Sequence, residues 1–547
     1  DEGHSGDEIS PDLTRADPDT MGVSGPLTMD TAGAEMYATI FSLMLSAHQP
    51  GTIMTGSDDG LVHVSTNDGG DWRDVTPEGL PANSQVTMLA ESPHTAGTVY
   101  MTVARHKEGD YGAYVYKTTD LGESWTRIDS GIPDNDFCRV VREDPGRQGL
   151  LYLGTELGLW VSFDDGATWQ SLRNNLPVTP VYDLMVKHND LIVATHGRSF
   201  WILDDVTQLH QAADAAGTGS HQLYRPHDTV RVPLHLFAAF WGSLSGKNYH
   251  VTIGQNATFM LEKEETGHKV KHMLDAGDEP RDGVKISYFL SEIPAEPITL
   301  TIVDAAGNEV ESFTSDIPEN EKDREGFYLT ANEGMNRFQW SMNYPSGAKM
   351  VDTDFHGRPG GPLAMPGAYT VRLDVGDWSD TQSFSLVKDP RVTTSDEDLQ
   401  EQFDLLMQIR DRLSEIAEGV NTCRSLTKQL SEWAGHLDDV DGGTDSAAAA
   451  RALADALTDV EQELVQPEFT APGDTLNYRE KLFEKLGALP PVVSSADTRP
   501  TKQSHAVYDK LSGQADGPLG VLASLIDEDL GALNTAVSGL GLGAIHA

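Results

Sequence analysis

The chain has 547 residues, enough for three or four domains with buried cores. It carries 39 Lys and Arg against 85 Asp and Glu, a formal net charge of -46. That excludes a general nucleic-acid binder and an anionic membrane surface as partner, because phosphate recognition needs clustered Lys and Arg.

A hydrophobic fraction of 38% and a charged fraction of 23% describe a globular chain. Its 52 Gly and 28 Pro favour turns and β structure. Cys138 and Cys423 are the two cysteines, which excludes a disulfide framework and a CxxC zinc cluster. No run of apolar residues is long enough to span a bilayer, so no transmembrane helix is expected. The start, Asp1-Glu2-Gly3, has neither Met nor a leader, and reads as a mature form or part of a longer protein. The acid excess gives a self-repelling, hydrated surface that salt would screen, so a salt-adapted source is expected.

Residues 1–34 are a polar, irregular lead-in. Residues 35–208 carry short β runs between Gly, Asp and Asn turns, such as Tyr37–Phe41, Gly97–Val103 and Leu191–Thr195. Residues 209–224 read as a linker. Residues 225–390 return to β patterning, with strands expected at Val284–Leu290, Ile298–Val303, Met335–Met342, Ala368–Val375 and Thr381–Val387. That set fits an immunoglobulin- or fibronectin-like β-sandwich. Phe338 and Trp340 alternate with Arg337 and Gln339 and are expected in its core. In 391–547 the pattern turns helical: Leu399, Phe403, Leu406, Ile409, Leu413 and Ile416 form a stripe, with Thr394 or Ser395 as N-cap. Further helices are expected at 446–465, 475–487, 501–514 and 518–538, making a bundle.

Three segments align without gaps on [S/T]-x-[D/N]-x-G-x-x-W. They are anchored by Ser65, Asn67, Gly69 and Trp72, by Thr118, Asp120, Gly122 and Trp125, and by Ser162, Asp164, Gly166 and Trp169. The Asp or Asn side chain suits a tight turn, Gly supplies positive φ, and Trp buries a large ring on the next strand. A strand precedes each box, so each box is a hairpin turn recurring once per unit. The Trp spacings of 53 and 44 residues match a propeller blade. A fourth copy of the upstream strand, Leu191–Gly197, has no box after it.

The boxes resemble the Asp-box, or BNR, repeat of sialidases, sortilin-type Vps10 domains and two-propeller xyloglucanases. Gly56–Val64, Arg139–Pro145 and Ala194–Asp205 are similar to a bacterial family of large exported BNR-repeat proteins labelled as glycosyl hydrolases. The tail is similar too, around Lys388–Val392 and Leu476–Tyr478. The resemblance implies an extracytoplasmic protein: secreted, periplasmic or on the cell surface. It also implies more blades than the four read here. Ile9–Thr14 resembles the closing edge of an earlier blade. The expected partner is therefore an N-terminal propeller half or another subunit, since an open arc exposes strand edges.

The box acids read as structural. A glycosidase needs two carboxylates facing a cleft. The catalytic candidates are Asp58 and Asp59, which also fit a hairpin turn, and Asp204 and Asp205, which also fit a cap. His196 and Arg198 flank Gly197 after a strand and, with Glu156, are candidates for binding an anionic or sugar ligand. Arg198 could equally pair with a neighbouring carboxylate. The Arg-Ile-Pro signature that the sialidase resemblance would imply is not found. His63 reads as packing. Asp352-Thr353-Asp354 could take calcium but lacks EF-hand spacing. No metal site and no cofactor are expected. The sequence thus expects a mainly β multidomain chain that recognises a protein or glycan ligand, with a glycoside hydrolase as the alternative. A third reading has the sandwich and bundle docking the propeller to a surface assembly.

Overall fold

Short β runs separated by left-handed turns lay the first part of the chain out as antiparallel meanders. The computed structural model describes residues 6–21, 37–215, 221–232, 246–252, 255–278, 283–320, 324–351, 353, 356 and 359–546. They fall into two compact units, Asp1–Gly219 and Ser220–Ala547. Asp352 and Asp354, the calcium candidates, and most of the lead-in lie outside the described residues.

The first unit is a row of four sheets. Sheet I contains β1 (Ile40–Leu45), β2 (Ile53–Ser57), β3 (Val62–Ser65) and β4 (Arg73–Asp74). Sheet II contains β5 (Gln85–Glu91), β6 (Val99–Arg105), β7 (Asp110–Thr118) and β8 (Thr126–Arg127). Sheet III contains β9 (Cys138–Glu143), β10 (Leu151–Thr155), β11 (Leu159–Ser162) and β12 (Gln170–Ser171). Sheet IV has three strands, β13 (Val181–Lys187), β14 (Asp190–Thr195) and β15 (Phe200–Leu203). Every sheet pairs its strands in chain order. The first strands stand side by side, β1 by β5, β5 by β9, β9 by β13. These are propeller-like blades.

Period-two alternation gives each sheet two apolar faces, and each forward face packs on the rear face of the next. Met54, Val62 and Val64 meet Val99, Met101 and Val103. Tyr100, Val115 and Ile128 meet Val141, Leu151 and Leu153. Tyr152, Leu159 and Val161 meet Leu184, Leu191 and Val193. Each such side chain, fully buried, contributes about 1.5–3 kcal/mol.

The three boxes superpose bond for bond. Ser65 Oγ accepts from Gly69 N at 2.9 Å, Thr118 Oγ1 from Gly122 N at 2.9 Å, and Ser162 Oγ from Gly166 N at 2.8 Å. Asn67, Asp120 and Asp164 each accept the amide four residues on. The Ser124 and Thr118 hydroxyls, with the Ser124 amide, hold the Asp120 carboxyl down at about 2. Gly69, Gly122 and Gly166 sit at φ +87, +89 and +87. A Cβ there would also strike Ile9, Val75 and Ile128 at under 3.0 Å. The indole N–H of each box then reaches backwards. Trp125 donates to Val75 O at 2.7 Å and Trp169 to Ile128 O at 2.6 Å, each just past the last strand of the preceding sheet. Trp72 donates in the same way to Ile9 O at 2.9 Å. Ile9 therefore takes, under the first box, the place that Val75 and Ile128 take under the next two.

In sheet IV a helix replaces the box turn. Val206 N donates to Asn189 O, as Asp68, Leu121 and Asp165 do to Gly51, Gly97 and Gly149 in the other sheets. The chain then enters the helix Thr207–Ala215, which occupies the first part of the stretch read as a linker.

In the second unit, a three-stranded sheet (His221–Leu223, Val284–Leu290, Gly334–Trp340) shares a core with a five-stranded one (Thr229–Arg231, Trp378–Lys388, Gly367–Val375, Thr299–Val303, Glu309–Thr314). Ile286, Tyr288, Phe338 and Trp340 face Ile302, Val371, Leu373 and Phe384 across it. A further sheet, Gly246–Thr252, Gln255–Lys263 and Lys269–Met273, has no forerunner in the sequence reading because its strands are polar and charged.

The helical part opens with Asp396–Asp438, capped by Ser395 Oγ, which accepts from Asp398 N. It packs on Thr444–Leu464 through Leu413, Ile416, Val420 and Leu457. Lys502–Ser524 runs unbroken through Pro518, where the sequence suggested two helices. Pro518 is buried, and the run continues as a π turn over Leu525–Leu530 into Gly531–Gly539. These sheets and the helices share one unit. Arg231 pairs with Asp497 at 2.7 Å, both nearly buried, and Tyr344 stacks edge-on against Phe403. Cys423 lies in the helical core, where burial pushes its thiol up to about 12. Among the described residues no helix is long and apolar enough to cross a membrane.

Candidate functional site

The first strand of every sheet in the first unit skips one residue against its partner. In β1 the skipped residue is Phe41, in β5 Thr87, in β9 Arg139 and in β13 Tyr182. A bulge leaves a residue unpaired and re-aims its side chain, and bulges are over-represented beside active sites. The repetition places four such residues at one end of the row, the end opposite the boxes, because each meander alternates its turns between ends.

The residue just after β2, β10 and β14 occupies one equivalent position. Asp58 N bonds to Thr39 O, Glu156 N to Phe137 O and His196 N to Pro180 O. Three of the sequence candidates thus meet the bulges at the same end.

Arg139 is the centre. Its Nε and Nη2 donate to Glu156 Oε2 at 2.8 and 2.5 Å. Its guanidinium lies 4.9 Å from the Phe137 ring and 4.1 Å from the Tyr182 ring. Tyr182 in turn contacts His196 at 4.9 Å between centroids. His106 stacks on Phe137 at 4.6 Å, with Tyr111 at 6.3 Å beyond. Burial first, and the positive charge of Arg139 next, push the His106 ring below its ordinary pKa. His106 is therefore neutral near pH 7, and its buried Nδ1 has no hydrogen-bond partner among the described residues. Tyr182 and Tyr111 are about half exposed, at 46% and 53%. The result is a fixed, charge-balanced guanidinium framed by open aromatic rings. Such a surface stacks on sugar C–H faces or peptide planes and offers polar groups at its centre.

Of the other candidates, Asp59 and Arg198 lie in the β2–β3 and β14–β15 turns at this same end, whereas Asp204 and Asp205 follow β15 at the opposite end. Asp59 is 2% exposed and accepts from Arg15 N, Ala16 N and Ser57 Oγ, tying the lead-in to the β2–β3 turn. Asp58 accepts from Thr39 N at 2.9 Å. Burial, opposed by that bond and aided by Asp59, pushes the Asp58 carboxyl up. Asp205 accepts from Thr207 N and Oγ1 and from Gln208 at the start of the helix Thr207–Ala215. Asp204 is half-buried in the same turn. Arg198 is exposed and its backbone carbonyl takes the Trp201 indole. His63 is half-buried in β3, and burial lowers its pKa. No group of three or more His, Cys, Asp or Glu among the described residues could hold a metal ion.

Sequence reasoning missed Phe41, Thr87, His106, Phe137, Arg139 and Tyr182 as site residues. A signal exists: Leu80-Pro81, Ile132-Pro133 and Leu176-Pro177 precede three of the bulges at nearly constant distance.

No family model matches the chain. A Paenibacillus sp xyloglucanase is 26% identical over 209 residues, covering 33% of this chain and 20% of the relative. Rattus norvegicus sortilin is 24% identical over 154 residues, covering 28% of this chain and 18% of the relative. The chain thus spans about a fifth of the length of either curated relative. Among solved structures, the GH74 xyloglucanase from Xanthomonas campestris is 12% identical with a TM-score of 0.26, covering 65% of this chain and 72% of that one. YCF48 from Cyanidioschyzon merolae is 12% identical with a TM-score of 0.24, covering 64% and 95%.

Proposed function

We propose that the chain is an extracytoplasmic propeller module that binds a glycan or protein ligand at the Arg139–Tyr182 mouth. In this reading the blades are of the Asp-box type and form part of a larger ring. The sandwich is immunoglobulin-like and, with the bundle, holds the module in place. The observation that carries the reading is the bulge repeated in four sheets, which brings Arg139, Tyr182 and the Glu156 position to one end. Glu156 is engaged by Arg139, which suits recognition better than proton transfer. A glycan is the first choice because one curated relative, similar over 209 residues, is a xyloglucanase.

The alternative is a glycoside hydrolase whose cleft needs a second arc. It is favoured by Asp58, whose raised carboxyl suits a general acid.

Titration calorimetry against xyloglucan oligosaccharides, acidic glycans and peptides tests the proposal. Arg139→Ala or Tyr182→Ala should weaken the bound ligand about 30-fold or more, the weight of an interface hot spot. Binding that ignores both changes would sink this mouth as the site. Sugar release abolished by Asp58→Asn would establish the hydrolase instead.

A further inference from the structure

We infer that the Arg139–Glu156 pair reads two adjacent hydroxyls, so that the mouth's ligand is an uncharged glycan with free vicinal diols. This rests on the mouth as the binding site and names the class of ligand that the mouth takes.

The pair uses only part of its hydrogen-bonding capacity. Both bonds from Arg139, from Nε and Nη2, end on Glu156 Oε2. Arg139 Nη1 and Glu156 Oε1 have no hydrogen-bond partner among the described residues, and both atoms are open to solvent. A free donor therefore stands beside a free acceptor on one salt bridge.

The surroundings hold that bridge still. Arg139 is the unpaired residue of the β9 bulge, and its guanidinium packs on the Phe137 and Tyr182 rings. Glu156 N donates to Phe137 O. The turn that carries Glu156 is pinned by Asp136, which accepts from Leu157 N at 2.8 Å and from the Trp160 indole at 3.0 Å. Asp136 is 3% exposed, so this clamp is out of a ligand's reach. The pair is thus set before any ligand arrives, which spares the cost of ordering it. Sheet III has sheet II on one side and sheet IV on the other, so the pair's neighbours on both sides belong to this chain.

The free atoms select the ligand by its own donors and acceptors. A carboxylate or phosphate only accepts, and Glu156 repels it. An ammonium only donates, and Arg139 repels it. A backbone peptide carries its C=O and N–H on opposite sides of a trans bond, so one peptide group cannot meet both atoms. Two neighbouring hydroxyls can: one accepts from Nη1 while the next donates to Oε1. A primary amide of Asn or Gln can do the same, but the tyrosines favour the sugar. Tyr182 and Tyr111 are about half exposed, neither hydroxyl has a hydrogen bond among the described residues, and such rings suit the C–H face of a pyranose. The charge balance agrees with a neutral ligand. Glu156 cancels Arg139, the exposed neighbours Lys107 and Glu108 are one of each sign, and the chain as a whole carries -46. An anion would have to turn instead to Arg198, exposed in the β14–β15 turn.

The experiment is titration calorimetry of the full chain against neutral polysaccharides: xyloglucan, galactomannan, arabinoxylan and dextran. Each is used intact and after periodate oxidation and borohydride reduction, which cleaves vicinal diols and leaves the polymer uncharged. Polygalacturonate and a peptide rich in Gln and Asn complete the set. At least one intact neutral polymer should bind, its oxidised form about 10-fold or more weaker, and polygalacturonate not at all. Glu156→Gln should weaken the neutral polymer about 10- to 100-fold, the weight of a hydrogen bond to a charged group, and should let polygalacturonate bind the uncompensated Arg139. Arg139→Gln should weaken the neutral polymer as much. Circular dichroism checks both folds, and the isosteric Glu156→Gln carries the test should Arg139→Gln unfold. No neutral polymer bound, or binding that ignores periodate or Glu156→Gln, overturns the inference. Wild-type binding of polygalacturonate or of the amide peptide, lost in Tyr182→Ala, overturns it too but leaves the mouth as the site. Neutral binding indifferent to Tyr182→Ala as well as to Glu156→Gln takes the mouth down with it.

Discussion

Trp169 and Trp72 make the same bond in very different surroundings, and replacing each by Phe should separate the latch from the ring. Trp169 is 5% exposed, and its indole donates to Ile128 O at 2.6 Å. Phe at this position leaves a buried carbonyl short of a donor, which costs about 1–3 kcal/mol. The smaller ring leaves a void worth about 1 kcal/mol more. Trp72 is only half-buried, so water replaces its bond to Ile9 O and the loss is about 0.5 kcal/mol or less. For a unit of this size each kcal/mol moves the midpoint by about 2–4 °C. Trp169→Phe should therefore lower the first unit's transition by about 5–15 °C, and Trp72→Phe by at most about 2 °C. Differential scanning calorimetry is the assay, with the two units fitted as separate transitions because they form separate compact bodies. Equal losses at the two positions, or a Trp169→Phe midpoint within a degree of wild type, would refute the latch as a source of stability.

Glu311→Gln should stabilise increasingly as pH rises above about 4.5 and reach its full effect near pH 7. Burial pushes the Glu311 carboxyl up to about 7, from an ordinary value near 4.5. Stability is full below the unfolded value, falls as pH rises towards 7, and stays reduced above it by up to about 3 kcal/mol. Melts should show the variant equal to wild type at pH 4 and several degrees higher at pH 8, and a gain at acid pH would contradict this account. Arg231→Met should cost about 3–5 kcal/mol by stranding Asp497, which is 6% exposed at the side chain. The double variant with Asp497→Leu should recover much of that loss in urea unfolding. Simple additivity of the two changes would show that the ion pair is not what couples sandwich to helices.

Local rules made the boxes legible. Gly at positive φ, the turn-capping Asp or Asn and the tryptophan all act within eight residues, so spacing alone exposes them. The stripe from Leu399 to Ile416 and its Ser395 cap are local in the same sense. The bulges were not legible, because Arg139 or Tyr182 is unpaired only relative to a partner strand. Glu156 and His196 could be picked as strand-end residues, but their neighbours in space come from other sheets. Asp59 and Asp205 attract attention as acids in turns, and half of the bonds they accept come from backbone amides, a pairing no sequence displays. The polar strands Gly246–Thr252 and Lys269–Met273 lack the alternation that reveals a half-buried strand. Pro518 misled for a physical reason: it usually ends a helix, yet here packing keeps the helix going through it.

The backward reach of the box tryptophans gives the row a direction. Its sheets are laid like roof shingles: the tryptophans of sheets II and III each nail their sheet to the tail of the one before, the tryptophan of sheet I grips Ile9, and sheet IV carries no such nail. Lifting the last shingle leaves every earlier fastening in place, while lifting the first frees the nail of the second. Fraying should therefore run from the Ile9 edge towards sheet IV. The sequence repeat and the folded sheet are also out of step: one box and the tail it grips belong to different sheets. A cut placed between sequence repeats would tear two shingles, whereas a cut after a tail would remove one cleanly.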